Sequence, residues 1–326
     1  MATRPPKKTS PAVKRIASGA KAAAPGASDQ ELCLMGVTRL SEFVDFVQRR
    51  TLQGPSLDPI DIGDRWRRAA RVYEQLAISE AGAAEKPEIR PLSRRLQAHV
   101  DKLVQLPQFR ATFCDLPVAF GLVELDKLVL TQHELRLSSV DKLVQNTAVP
   151  LTDSALAAIC LPLTPDTAEF KLKLNRDGQY VFASDTHDAR FLGAQVLQPQ
   201  DVPGLKVHGH PAAVVALAVG FSTNVLNVIR YRDRVVINNG YHRAMALRRL
   251  GVTHAPCLIQ VCGHWEDVGL AGNSELYRNA SPYLTSPRPP LLRDFDNPAL
   301  TAVFDKPKIV KQIQLSYEVS TFQLDE

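Results

Sequence analysis

The sequence predicts an α+β fold, with a small helical region followed by a mixed-sheet domain that carries insertions. Three observations predict it. Between about residues 38 and 106 apolar residues recur at helical spacing. From about residue 117 the pattern changes to short alternating or continuous apolar runs, which read as strands. Among those runs lies one helix with a glycine-led start, at residues 241–250. A chain of 326 residues can bury a substantial core and has room for two domains. Its 45% apolar and 22% charged content suits a globular protein.

The elements follow in order. Thr38 is a candidate cap for a helix to about Arg50, with Leu40, Phe43, Val44 and Val47 on one face. After a Gly/Pro turn, Asp64 opens a second helix whose apolar stripe is Trp66, Ala69, Ala70, Tyr73, Leu76 and Ala77. Arg65, Arg68 and Arg71 lie off that stripe, as a solvated face or a partner surface. A third helix fits 92–106 and stops at Pro107. Val118 to Leu125 reads as a strand and Asp126 to Leu130 as a turn, and Ser138 or Ser139 caps a helix to Asn146. Phe170–Leu174 and Gln179–Ala183 alternate across an Asp177-Gly178 hairpin signal. A second hairpin joins Val225–Tyr231 to Arg234–Ile237 at Arg232-Asp233. Helix 241–250 ends at Gly251, and Cys257–Val261 is a short buried strand. Pro and Ser residues between Ser281 and Pro290 suggest an ordered excursion or a linker. From Ile309 to Val319 apolar and polar residues alternate as in a half-buried strand.

Domain limits follow as 1–30 for a disordered tail, 31–110 for the helical region, 111–265 for the mixed-sheet domain and 266–326 for an extension ending in a strand. The net charge of +5 is concentrated in the tail. Residues 1–28 hold six Lys/Arg and no acid, which leaves 33 basic and 34 acidic residues in the remainder, a balance of −1. Any attraction for DNA or an acidic partner protein therefore resides in the tail, which otherwise serves as a solubilising segment. The five cysteines are odd in number and scattered, as reduced thiols in a cytoplasm are. No apolar run reaches ~18 residues, so no membrane span and no membrane partner are expected.

Chemistry concentrates in the helix at 241–250. Arg243, Leu247 and Leu250 share one face by their i, i+4, i+7 spacing. The leucines must pack inward, so Arg243 begins a core-facing stripe. A guanidinium cannot shed its proton there and needs an anion. That anion is a carboxylate of the same domain, with Glu124 and Asp126 nearest by topology, or a bound phosphate. Gly240 permits close backbone approach, and the helix start adds N–H donors and the positive dipole end. Gly240, Tyr241, His242 and Arg243 are therefore the candidate phosphate-binding residues.

The stretch Val225–Val261 resembles the ParB/sulfiredoxin superfamily. The likeness rests on the hairpin, Gly240-Tyr241-His242-Arg243-Ala244-Met245-Ala246, Leu250-Gly251-Val252-Thr253 and Pro256-Cys257-Leu258-Ile259. Val123-Glu124-Leu125-Asp126-Lys127-Leu128 is similar to the opening strand and turn of that family. The resemblance implies binding of a nucleoside triphosphate, with phosphates at Gly240, His242 and Arg243, and an accompanying Mg²⁺ ion. Glu124 and Asp126 are candidate catalytic carboxylates by their topology, orienting Arg243 or the ion and so admitting an NTPase, and the resemblance implies for Glu124 the place of the catalytic carboxylate of a free-serine kinase in that superfamily. Tyr241 stands where sulfiredoxins carry their nucleophilic cysteine, and residues 265–326 do not read as a helix-turn-helix.

Two alternatives stand beside this reading. One is a non-catalytic DNA- or protein-binding module of a plasmid, mobile-element or defence system, acting through the basic tail. The other is a metal-dependent nuclease using His208 and His210, completed by Asp185, His187 or Asp188. Cys257, Cys262 and His264 have poor zinc spacing and read as buried thiols and a loop histidine. Ser184-Asp185-Thr186-His187-Asp188 reads equally as a reactive pair or a capping loop. Trp265, Tyr283 and Phe295 read as packing residues.

Overall fold

The computed structural model describes residues 28–164, 170–174, 179–184, 189–308 and 311–321. In chain order the first elements are β1 (Ser28–Leu34), α1 (Leu40–Arg50), α2 (Pro59–Ser79), β2 (Ile89–Arg90), α3 (Arg94–Leu103), α4 (Pro107–Thr112) and β3 (Val118–Glu124). Next come β4 (Glu134–Arg136), α5 (Leu137–Gln145), α6 (Asp153–Cys160), β5 (Lys171–Leu174), β6 (Tyr180–Ser184), β7 (Arg190–Leu197) and β8 (Val214–Gly220). The last are β9 (Asn227–Tyr231), β10 (Arg234–Asn239), α7 (Tyr241–Arg249), β11 (His254–Cys262), α8 (Trp265–Leu270), α9 (Ser274–Arg278), β12 (Thr301–Pro307) and β13 (Lys311–Leu315). Helices and several sheets are mixed, so the α+β class is observed.

The central sheet has the order β10-β9-β11-β3-β2. Only β9 and β11 run parallel in it. The β9–β10 hairpin turns at Arg232-Asp233, as its alternation predicts, with Arg232 at φ +53°. Helix α7 then crosses from β10 to β11. Ala244, Met245, Ala246 and Leu247 are good helix formers and are buried in the core. Arg248 and Arg249 in the last turn complement the dipole. Gly251, at φ +79°, closes the helix: its N–H donates to the Arg248 carbonyl and that of Val252 to the Leu247 carbonyl.

Several expectations need correction. Strand β1 starts at Ser28, inside the expected tail, and pairs with β12 on one side and β4 on the other. The region expected to be helical thus supplies β1 to a sheet shared with the C-terminal extension, and β2 to the central sheet. One apolar core accordingly joins Leu34, Phe43 and Val47 to Val228, Leu247, Leu300 and Phe304. Helix α1 has no side-chain cap, so Thr38 does not serve as one. Helix α2 starts at Pro59, not at Asp64, because Asp58 accepts from the Ile60 N–H and Pro59 fits the first helical position. Pro107 opens α4 as well as following α3. Helix α5 follows β4 directly, without a cap from Ser138 or Ser139. Helix α6 and the β7–β8 pair were not expected. The first predicted hairpin is β5–β6, and its turn at Asn175–Gly178 lies outside the described residues. The terminal strand is β13, which pairs with β6 but is shorter than the alternation predicts. It ends at Leu315, Tyr317 and Val319 beyond it have no sheet to pack on among the described residues and are exposed, and Ile309 lies outside the described residues. The stretch Ser281–Pro290 is an ordered excursion, held where Arg234 donates to the Tyr283 and Ser286 carbonyls, each at 2.7 Å.

Candidate functional site

The start of α7 is tightly built. Gly240 has φ +98°, and a Cβ there would lie 2.7 Å from Leu226 Cδ1 and 3.2 Å from Leu226 Cα. Close packing against Leu226 therefore requires this glycine, whatever else it does. The Tyr241 hydroxyl donates to the Ile237 carbonyl at 2.6 Å and lies 2.8 Å from Thr131 Oγ1. Burial pushes the Tyr241 phenol up to about 12. His242 Nε2 accepts from the Arg136 backbone N–H at 3.1 Å. Arg243 is buried, with 9% of its surface exposed, as the helical stripe predicts. Its Nη2 donates to Asn224 Oδ1 in the loop before β9. The same guanidinium opposes the burial that pushes the Cys160 thiol up to about 12.

Glu124 and Asp126 do not orient Arg243. Glu124 accepts from the Glu88 N–H at 2.9 Å and sits 3.5 Å from Lys127. Asp126 pairs with Arg248 at 2.5 Å, and Arg248 also contacts Asp296. The physical reason lies in helix geometry. Arg248 is five residues beyond Arg243, about 140° around the helix, so the two guanidinium groups point to different sides. Both carboxylates are neutralised by cations, which does not suit them to hold Mg²⁺. Among the described residues no group of three or more His, Cys, Asp or Glu side chains could hold a metal ion. His208 and His210 are exposed in an irregular segment, and their proposed companions Asp185, His187 and Asp188 lie outside the described residues. Burial raises the Cys257 thiol well above its usual range and the Cys262 thiol to about 11, so both are protonated packing groups. Trp265 stacks on Tyr277 at 5.7 Å, and Phe295 is buried in the core, as packing residues do.

Beside α7 opens a cleft of about 1970 Å³. Of the four predicted phosphate-binding residues only Tyr241 lines it. Its walls come from the segment before α1, from α4, from the loop 131–134, from residues 221–223 and from the segment around Asn273. Arg39, Arg190 and Arg278 line it too. Two polar chains run along its floor. In the first, Asn273 Nδ2 donates to Thr131 Oγ1 at 3.1 Å, and Thr131 leads through Tyr241 to the Ile237 carbonyl. Every link of that chain is met. In the second, Asn238 Nδ2 donates to the Ala271 carbonyl at 2.7 Å and to Gln260 Oε1 at 3.2 Å. Asn227 Nδ2 donates to the same Gln260 oxygen at 2.8 Å.

The second chain is incomplete. Asn227 Oδ1, His133 Nε2 and Thr38 Oγ1 are buried without a hydrogen-bond partner among the described residues. All three residues line this cleft. The His133 ring stacks on Tyr283, centroids 6.1 Å apart and planes 18° apart. Burial holds its imidazole down at about 4, so it is neutral around pH 7. The sequence did carry a signal for this floor. Gln260 interrupts the apolar run Cys257–Val261, and Asn238-Asn239 ends an apolar strand, where buried amides are uncommon.

No family model matches the chain, and no curated protein or solved structure matches it either. No helix among the described residues is long and apolar enough to cross a membrane.

Proposed function

We propose that the protein binds a nucleoside triphosphate in the cleft beside α7. The observation that carries this reading is that three residues lining one cleft, Thr38, His133 and Asn227, each keep a buried polar atom without a partner among the described residues. A buried polar group without a partner costs about 1–3 kcal/mol, which a polar ligand recovers on binding. A lining that carries both amides and arginines suits a nucleotide among polar ligands. Of the signature Gly240–Arg243 only Tyr241 reaches the cleft, so that signature does not hold the phosphates in this reading. Base or sugar meets the amide floor, and phosphates extend toward Arg39, Arg190 and Arg278 on the same lining. The cleft exceeds the ~300–1,000 Å³ of a typical small-molecule site, so a mononucleotide fills only part of it.

In this reading Arg243 is a positioning residue. It braces Asn224, whose neighbours Ser222, Thr223 and Val225 line the cleft. Mg²⁺ would arrive on the triphosphate and not on Glu124 and Asp126, and the reading includes no hydrolysis. The test is calorimetry and thermal melting with ATP, GTP, CTP and UTP, each with and without Mg²⁺. A ligand that binds only the folded state raises Tm by mass action. Binding of at least one triphosphate, weakened in Arg243→Ala, supports the proposal. No binding of any of the four overturns it.

A further inference from the structure

Resting on that nucleotide reading, we infer that Asn227 and Gln260 form a base-reading pair, which presents one acceptor and one donor to the edge of a nucleobase. The orientation of each amide follows from one fixed point. The Ala271 carbonyl can only accept, so the Asn238 group facing it is Nδ2. That nitrogen also donates to Gln260, so the Gln260 atom it meets is the oxygen. The same oxygen faces Asn227, so Asn227 turns its Nδ2 to it. Two ends take no part in the chain. Asn227 Oδ1 is a buried acceptor without a partner among the described residues, and Gln260 Nε2 is a donor that neither of these hydrogen bonds uses.

Asn227 and Gln260 lie on neighbouring strands, joined by one hydrogen bond between Asn227 Nδ2 and Gln260 Oε1; both line the cleft, and each residue is only 5% exposed. An acceptor beside a donor matches a planar ligand edge with an N–H beside a ring N or C=O. Nucleobases carry such edges, and phosphates do not. The floor thereby separates recognition from charge. Neutral amides read the base, and arginines elsewhere on the lining meet the phosphates.

The test uses the full chain and two independent perturbations. Gln260→Glu keeps an oxygen for Asn227 and Asn238 but replaces the Nε2 donor with an acceptor. Independently, the best-binding nucleotide is compared with an analogue whose edge N–H is methylated, which needs no variant protein. Both changes are expected to weaken nucleotide binding at least about tenfold, as the loss of one paired edge contact does. Inorganic tripolyphosphate is expected to bind wild type and Gln260→Glu alike. If wild type binds a nucleotide and both perturbations leave affinity unchanged, base reading is wrong while the nucleotide proposal stands. If wild type binds no nucleotide, both fall together.

Discussion

Two buried polar clusters in this molecule are built on opposite principles. The first joins α2 to the segment 288–294. Arg288 is 4% exposed and Asp294 is 2% exposed. They form a two-pronged pair, with both N···O distances at 2.6 Å. Arg288 also donates to Glu80 and to the Pro289 carbonyl, and Asp294 accepts from Tyr73 and from the Leu291 N–H. The second cluster is the chain Asn238–Gln260–Asn227 beneath the cleft, which leaves Asn227 Oδ1 without a partner. A closed network serves the fold, because each group is already satisfied. An open one at a cleft serves a ligand, because desolvation has been incurred and the compensating bond is still to come.

The largest expected effect breaks the closed cluster. Asp294→Ala leaves the Arg288 guanidinium buried with its main partner gone, and should cost about 3–5 kcal/mol in urea unfolding. A loss under about 1 kcal/mol would show that the brace does not hold α2 in place. Next comes His133 on the cleft wall. Its folded pKa of about 4 lies below the ordinary 6.5, so the unfolded chain takes up a proton first as pH falls. Stability should therefore decline from about pH 6.5 down to about 4, by up to about 3 kcal/mol, and should be flat above that window as far as this group is concerned. Measured against pH, His133→Gln should lack this component; an unaltered profile would exclude His133 as its source.

Smaller effects sharpen the contrast. Gly240→Ala forces a Cβ onto Leu226 at a left-handed backbone position and should cost about 1–3 kcal/mol by thermal unfolding. A neutral result would return Gly240 to a role in ligand approach alone. Asn227→Leu removes an unmet acceptor along with one met donor, so stability should change by less than about 1 kcal/mol while the nucleotide-induced rise in Tm disappears. A large loss of stability with binding retained would make the amide chain structural, like the Arg288 brace.

Local elements were legible in the sequence because their signals are local. The β9–β10 hairpin, α7 and the Gly251 stop follow from alternation, helix formers and a glycine at a left-handed position. Burial of Arg243 followed from its spacing to Leu247 and Leu250. What lay opposite it did not follow, since periodicity gives the face of a helix and not the neighbour across it. Topology alone therefore pairs Glu124 and Asp126 with Arg243, whereas Asp126 meets Arg248. Strand β1 was hidden for a different reason. It is completed by β12, whose residues lie over 260 positions away, so Cys33 meets Ala302 without any local cue. The three-residue β4 is too short for any period to register. The cleft joins segments that are distant in sequence, and only its amides, set in apolar strands, left a mark there.

The most direct measurement is amide hydrogen exchange of the full chain with and without a saturating nucleoside triphosphate. Added protection is expected at residues 222–227, 238–241 and 271–275, the segments that frame the amide floor. Protection confined to other segments, or none, would contradict the assignment of this cleft.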